Sequence, residues 1–332
     1  MAFELPTYAS PTVIVPKSGL QFLDFAFDLT RHARLSAAFW EEPRPDKLGA
    51  DGQPLVLLRK LTQDPEGNLV FWDDETRQLR TAPEDASYKI SAAKALEAFA
   101  GQWLPFPWLH LAERGPDGRD AFRQGPTTWA RVLVQPVTPA RPGDPTHRVV
   151  VALESKLQGA LSHEELAAGR PYHLPTEEDA ATGATFRFAD DHAENAWFLN
   201  LPWVAQWLAE AFKDHKQALK PGRPVGPDDF PYVLEHWARY ATLIELLKEA
   251  VEFPDLKLAD TLSAATVKPI DVDLVLDVGN SRTCGLLFES LGESFSMRNA
   301  YVLALRDLSR PWLLSEDPFE SRVEFARPAF GR

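Results

Sequence analysis

The stretch that decides the fold is WARVLVQPVTPARPGDPTHRVVVALE, residues 129–154. Its two ends, Trp129–Val137 and His147–Glu154, are rich in valine, which is typical of β-strands. The residues between them, TPARPGDPT, are nearly all turn formers. The stretch therefore predicts a β-hairpin near the middle of the chain.

A second hairpin is predicted before the first, where Leu55–Lys60 and Leu69–Trp72 flank the turn sequence DPEGN. Two helices are predicted after the hairpin of residues 129–154. Asn200 is positioned to cap a helix that carries Trp203, Trp207 and Ala211 on one face. Asp228 is positioned to cap another, in which apolar residues recur every three or four positions from Phe230 to Lys248. Strands and hairpins early and helices late predict an α+β fold.

The pattern of apolar and polar residues divides the chain into three parts. Residues 1–251 are predicted to form an α+β domain of mixed hairpins and helices. Residues 252–271, EFPDLKLADTLSAATVKPID, lack a clear pattern and are predicted to be a linker. Residues 272–332 begin with two apolar strand candidates, Val272–Leu276 and Cys284–Phe288. Because a segment of about 60 residues rarely forms a sufficient core alone, we expect its strands to pack onto the first domain.

Composition excludes several classes of protein. The chain has 48 Asp and Glu against 35 Lys and Arg, a net charge of −13, which argues against binding to nucleic acid or to an anionic membrane surface. The single cysteine, Cys284, excludes an internal disulfide and a cysteine-based zinc site. The start, MAFELPTYAS, lacks the pattern of a secretory signal, and no apolar run is long enough to span a bilayer. We therefore expect a cytoplasmic protein without membrane insertion.

Familiar catalytic motifs are missing. The sequence has no P-loop and no G-x-G-x-x-G fingerprint. His163 and Glu164 begin a zincin-like H-E-x-x-H, but Ala167 stands where the second histidine ligand belongs. His192 and Glu194 mimic the deaminase H-x-E, whose partner motif needs two cysteines. These four chemistries are therefore not indicated.

One motif has a physical logic for phosphate binding: DLVLDVGNSRTCGLLF, residues 273–288. A buried strand would deliver Asp277 to its carboxyl end, and Gly279 would let the backbone approach a ligand closely. The following turn would direct N–H groups outward, as anion-binding nests do. Asp277 could then reach Mg²⁺ through water, while Ser281 or Arg282 donates to phosphate oxygens. The alternative is a plain β-hairpin whose Asp and Asn merely suit the turn.

This segment resembles the first phosphate-binding hairpin of the actin/Hsp70/sugar-kinase ATPase superfamily: a strand, D-x-G, a polar pair and a second strand. The wording D-V-G-N-S also resembles type III pantothenate kinases, which makes a small-metabolite kinase a weaker alternative. The resemblance implies the first strands of an actin-like (ribonuclease H-like) ATPase lobe over 272–332, with Mg-ATP as ligand. Asp277 would be the catalytic residue on the Mg²⁺ side. The residues around the phosphates would be Gly279, Asn280, Ser281, Arg282 and Thr283.

The superfamily's second phosphate hairpin, hinge and Gly-rich adenosine motif are not visible after Phe288. We therefore expect Mg-ATP binding to be incomplete in this fragment and ATPase activity, if the protein has it, to need the full-length chain. Catalysis would consist of electrostatic positioning without a covalent nucleophile.

A second resemblance covers both ends of the chain. SGLQFLDF, residues 18–25, taken together with residues 273–288, is similar to the bacterial SrfB-like virulence factors. Those proteins are much longer and are encoded beside other Srf genes, so the resemblance implies that residues 1–332 are an N-terminal portion. It also suggests a protein partner, with other Srf-type proteins as candidates.

Two hypotheses follow. In the first, the chain is the front of an actin-like nucleotide-binding protein with an N-terminal partner-docking domain. In the second, residues 1–251 form a non-enzymatic interaction or assembly module, and the ATPase-like hairpin is only structural. An exposed aromatic patch of several hundred Å² would favour the second.

Overall fold

In the computed structural model, most of the helices and strands lie within residues 5–259. The described residues are 5–49, 52, 54–73, 75–112, 122, 125–167, 172–190, 192–259, 272–279, 281–289, 300–303, 305–306, 311, 314–315 and 319–320.

Within those residues the chain alternates strands and helices. The strands are β1 (Thr12–Ile14), β2 (Leu20–Phe27), β3 (Ser36–Leu48), β4 (Pro54–Gln63), β5 (Leu69–Asp73), β6 (Gln78–Thr81), β7 (Tyr88–Ser91), β8 (Trp103–Pro105), β9 (Trp108–His110), β10 (Ala130–Pro136), β11 (His147–Glu154), β12 (Thr185–Phe188), β13 (Leu256–Leu258), β14 (Val272–Val278), β15 (Arg282–Glu289), β16 (Ala300–Val302), β17 (Leu305–Arg306), β18 (Leu314–Ser315) and β19 (Phe319–Glu320). The helices are α1 (Ala92–Phe99), α2 (His163–Ala167), α3 (Glu177–Thr182), α4 (His192–Leu199), α5 (Pro202–Ala218) and α6 (Glu235–Ala250). The fold is α+β, as the sequence predicts.

The central hairpin is the middle of a four-stranded antiparallel sheet in the order β2-β11-β10-β8. Val132 lies opposite Val151, and Val134 lies opposite Val149. These four valines are at most 2% exposed, so their face of the sheet belongs to the core. The hairpin predicted over residues 129–154 is confirmed.

A second sheet has the order β1-β13-β12-β9 and joins distant parts of the chain. β1 and β13 pair in parallel, with Thr12 opposite Leu256. Leu256 and Leu258 are fully buried, at 0% exposure. The start of the predicted linker over 252–271 is therefore a core strand. The sequence does not predict this strand, because three residues are too few to show a β pattern. Their conformation depends on pairing with β1 and β12, which are distant in the chain.

The third sheet has the order β6-β5-β4-β3-β7 and contains the other predicted hairpin, β4–β5. Asp64 closes its turn, because its carboxylate accepts hydrogen bonds from the Asn68 backbone N–H (2.7 Å) and side-chain amide (2.9 Å). The β4–β5 ladder is short and joins only Thr62 with Val70 and Gln63 with Leu69.

Two predicted helix caps are wrong. α5 begins at Pro202 after Leu201, because proline favours the first helical position. Asn200 instead donates its side-chain amide to the carbonyl of Ala196 (2.8 Å) in α4.

The second wrong cap concerns α6, which begins at Glu235 rather than after Asp228. The Glu41 carboxylate on β3 accepts hydrogen bonds from the backbone N–H groups of Val233 (2.9 Å) and Leu234 (2.7 Å). A side chain from a distant strand thus binds the N–H groups of the two residues that precede α6, where no local side chain caps the helix.

The larger of two hydrophobic clusters among the described residues extends from Ile14 to Leu258 and is filled with aromatic rings, and the smaller one consists of Leu61, Phe71 and Ala82. Trp129 donates its indole N–H to the Trp108 carbonyl (2.7 Å), and Tyr240 of α6 donates its hydroxyl to the Pro105 carbonyl (2.6 Å). Among the described residues, no helix is long and apolar enough to cross a membrane.

The C-terminal strands form two further sheets: β14-β15-β16, in which β19 also pairs with β15, and the pair β17–β18. Arg306 of β17 donates to both carboxylate oxygens of Asp24 (3.1 and 2.8 Å), and its guanidinium lies 4.7 Å from the Phe22 ring centroid. Asp24 is opposite Val150 in the ladder, so this contact lies on the face of the central sheet turned away from the core valines. The division of the chain into domains and the actin-like identity of the last strands stay predictions.

Candidate functional site

The predicted phosphate-binding motif forms an antiparallel β-hairpin between β14 and β15. Asp277 lies opposite Cys284, and Val278 lies opposite Thr283. The Gly279 N–H donates to the Arg282 carbonyl (2.9 Å), which closes the turn between the two strands. The register therefore places Asp277, at the end of one strand, beside the turn and the start of the next strand.

Gly279 is required by a close approach within this turn. A Cβ atom at residue 279 would lie 2.6 Å from the Arg282 carbonyl oxygen, which is a steric clash. Any larger residue would push the two strands apart and break the hydrogen bond that closes the loop. The glycine of the D-x-G pattern thus has a steric reason independent of any ligand.

The structure brings most of the predicted site residues together. Asp277, Ser281 and Arg282 are exposed at the tip of the hairpin, and Thr283 is half-buried beside them. Asn280, also predicted to surround the phosphates, lies outside the described residues. The exposed carboxylate, hydroxyl and guanidinium are therefore free to face a ligand that approaches the turn.

The strand that carries Asp277 is not buried, contrary to the prediction. Leu274, Leu276 and Val278 are 51%, 50% and 73% exposed, and every residue of β14 is exposed. β14 is an edge strand of its sheet, and the apolar side chains on both of its faces are 50–73% exposed. An apolar run predicts burial only when a neighbouring element is there to cover it.

The hairpin's acid suits indirect contact with Mg²⁺ better than direct chelation. Among the described residues, no group of three or more His, Cys, Asp or Glu side chains is arranged to hold a metal ion. Mg²⁺ usually keeps several waters and takes one or two carboxylates together with substrate phosphates. A lone exposed Asp277 fits that role.

The sequence analysis missed a buried cluster beside a cavity of about 390 Å³. Oδ2 of Asp179 accepts hydrogen bonds from the Tyr172 hydroxyl and from both the backbone N–H and the hydroxyl of Thr176 (2.8 Å each). Its Oδ1 lies 3.3 Å from Nε2 of His110. The sequence signal is T-x-x-D, because Thr176 and Asp179 form the capping box of α3. Since Asp179 already caps a helix, the cluster has a structural role.

A second missed feature is a buried cation, Arg131, in the valine-rich strand β10. Its guanidinium carbon lies 4.8 and 4.9 Å from the Trp203 and Trp207 ring centroids, and Nη1 donates to the carbonyls of Thr128 and Ala130 (3.0 Å each). Burial lowers the pKa of Arg131 to about 10. A charged residue in an apolar strand is the signal that would have found it, and its contacts attach α5 to the sheet.

Comparisons with known proteins give one match. No curated protein and no solved structure matches the chain. The family model described as Virulence factor SrfB matches residues 1–332, the whole of the sequence. The chain belongs to the SrfB virulence factor family.

Proposed function

We propose that this SrfB-family protein is an actin-like nucleotide-binding protein whose β14–β15 hairpin binds the phosphates. The observation that carries the proposal is the closed turn itself. The Gly279 N–H bond to the Arg282 carbonyl closes the turn that joins the strand of the exposed Asp277 to Ser281 and Arg282, two side chains that can donate to phosphate oxygens.

The proposed ligand is Mg-ATP, which supplies a divalent cation and a transferable phosphoryl group. Asp277 would accept hydrogen bonds from waters of the Mg²⁺ shell. Ser281, Arg282 and Thr283 would hold the phosphate oxygens, with backbone N–H groups of the turn beside them. The adenine pocket and the residue that orients the attacking water would come from other parts of the full-length protein.

The test is a thermal-shift titration of the full-length natural chain with Mg-ATP and Mg-ADP. The test variant is Asp277→Ala, and the matched control is Asp273→Ala. Both are exposed carboxylates on the same face of β14, about 13 Å apart. A ligand at 100 times its dissociation constant adds about 2.7 kcal/mol of stability, which raises the melting temperature by several degrees.

We expect a shift with the natural chain and with Asp273→Ala, and none with Asp277→Ala. If all three folded proteins show no shift, the hairpin is structural. If both variants lose the shift equally, general negative charge is responsible and the specific role of Asp277 is wrong.

A docking function for residues 1–251 is the second half of the proposal, with other Srf-type proteins as candidate partners. The observation that favours it is a wide apolar groove on this part of the chain, of about 880 Å³, with two strongly exposed side chains: Trp72 at 54% and Val233 at 68%. Exposed apolar surface of this kind marks interaction sites. Pull-down of the other Srf-type proteins with the purified chain tests it, and a Trp72→Ala chain that retains every partner would contradict it.

A further inference from the structure

The groove runs along one edge of β4 that has no strand beside it in the described part of the chain. β5 pairs with β4 only at Thr62 and Gln63 and then diverges to pair with β6, where Trp72 lies opposite Leu79. On its other edge β4 pairs with β3 from Leu61 back to Leu55. Between residues 55 and 61, β4 therefore presents one edge to the groove.

The ladder geometry identifies the backbone groups on that edge. In an antiparallel strand, alternate residues bond to opposite neighbours. The Asp64 N–H donates to the Asn68 carbonyl, on the β5 side. Residues of the same parity, Val56, Leu58 and Lys60, therefore direct their N–H and C=O groups to the β5 side, where β5 has left. Backbone groups left open on a strand edge are a template for another strand.

The walls of the groove are apolar and come from three elements. β5 contributes Trp72, the end of α4 contributes Leu199, and α6 with the residues just before it contributes Trp237 and Val233. The indole N–H of Trp237 is buried and has no hydrogen-bond partner among the described residues. A carbonyl group in the groove would supply the acceptor that this N–H lacks.

The charged residues that line the groove are both cationic, although the whole chain carries a net charge of −13. They are Arg59, which donates to Glu42 (2.7 Å), and Lys60, which pairs with Glu245. No acidic side chain lines the groove in the described part of the chain. Both cations already pair with carboxylates, so the groove favours a neutral or acidic occupant chiefly because it offers no carboxylate to a basic one.

We propose that the groove binds an extended, apolar segment of a partner protein as an added strand on Val56–Lys60, with an acidic residue at the end near Lys60. The added strand would take the place that β5 leaves and would pair with the N–H and C=O groups of Val56, Leu58 and Lys60. The walls would hold its alternate side chains, which is how strand addition combines affinity with specificity. The inference rests on the docking half of the proposed function and names its site and partner chemistry.

The test uses the whole chain and a blocked heptapeptide, acetyl-Glu-Val-Thr-Leu-Thr-Val-Ser-amide, as the probe. Hydrogen exchange of the amides of Val56, Leu58 and Lys60 is measured with and without peptide. We expect these three amides to become protected, while the β3-bonded amides between them stay as they are. Two N-methylated peptides decide the mode: methyl groups on the second, fourth and sixth amides, or on the third and fifth.

Strand addition uses only one of these two sets of amides. One methylated peptide should therefore lose binding and the other should keep it. Equal binding of both would overturn the proposal, because simple apolar adhesion has no such alternation. Absence of protection at 56–60 with the unmethylated peptide would overturn it as well.

Variants locate the binding. Trp72→Ala should weaken the peptide at least about tenfold, since exposed aromatic anchors dominate such interfaces. Leu219→Ala, a matched control at an equally exposed apolar residue at the end of α5, should not. Protection that appears elsewhere on the chain would overturn this site while leaving the docking function intact. Self-association of the chain that Trp72→Ala abolishes would overturn the partner segment in favour of a second copy.

Discussion

His236, in the first turn of α6, should make the protein lose stability in mild acid. Burial lowers the pKa of His236 from 6.5 to about 4. Its ring packs against Trp237, with the ring centroids 5.9 Å apart, and the positive end of the helix dipole also disfavours an imidazolium there. The folded chain therefore keeps this side chain neutral at pH values where the unfolded chain protonates it.

The sign and size of the effect follow from linkage between protonation and folding. Below pH 6.5 the unfolded chain binds a proton at this position, and the native chain does not until pH falls to about 4. The contribution of neutral His236 is thus fully present above pH 6.5 and is lost as pH falls toward 4. A difference of about 2.5 pKa units corresponds to about 3 kcal/mol of unfolding free energy.

Urea unfolding at pH 7 and pH 4, followed by tryptophan fluorescence, measures this loss. His236→Gln, which cannot be protonated, should lose about 3 kcal/mol less than the natural chain over that interval. His163→Gln on α2 is the control: His163 is exposed in the folded chain, so the variant should lose as much as the natural chain. If His236→Gln loses the same amount as the natural chain, the argument from burial of His236 is wrong.

Two further changes test the packing of the core by the same urea titration. Trp129→Phe should cost about 2 kcal/mol or more, because it leaves the buried Trp108 carbonyl without its donor; a loss below about 0.5 kcal/mol would contradict this. Gly125→Ala should cost more than about 2 kcal/mol, because residue 125 has φ +98° and a Cβ there would lie 2.4 Å from the Tyr172 ring. Gly222→Ala, where a Cβ meets no atom within 4 Å, is the control and should change stability by less than about 1 kcal/mol.

The hairpins were predictable because their chemistry is local. The turn over 138–146 is made of residues that favour turns, and Asp64 and Asn68 supply both ends of the hydrogen bonds that close the other turn. The helix caps were not predictable, because Glu41, almost 200 positions earlier in the chain, satisfies the start of α6. Local sequence patterns predict hydrogen bonds between residues close in the chain. They do not predict hydrogen bonds from side chains that are distant in the chain.

The candidate site divides in the same way. The D-x-G hairpin was predictable, because Gly279 and the turn residues are neighbours in sequence, although the strand register comes only from the structure. The exposure of β14 was not, since an apolar run looks the same whether or not a covering element is present. The groove along β4 was missed altogether. The groove exists because β5 stops pairing with β4 after Val70. The hairpin sequence contains no residue pattern that predicts where the two strands separate.

The parallel pairing of β1 with β13 constrains how the chain can fold during its synthesis. Ile14 is buried against residues that the ribosome adds more than 240 positions later. At about 5–20 residues per second, this interval lasts on the order of 10–50 seconds. During that time β1 has no partner strand, and the apolar side chains of β12 and β9 lack the element that completes their sheet. Pairings between such distant residues also slow folding itself, because a long loop must close before they can form. The nascent chain can therefore complete this sheet only after residue 258 has been added.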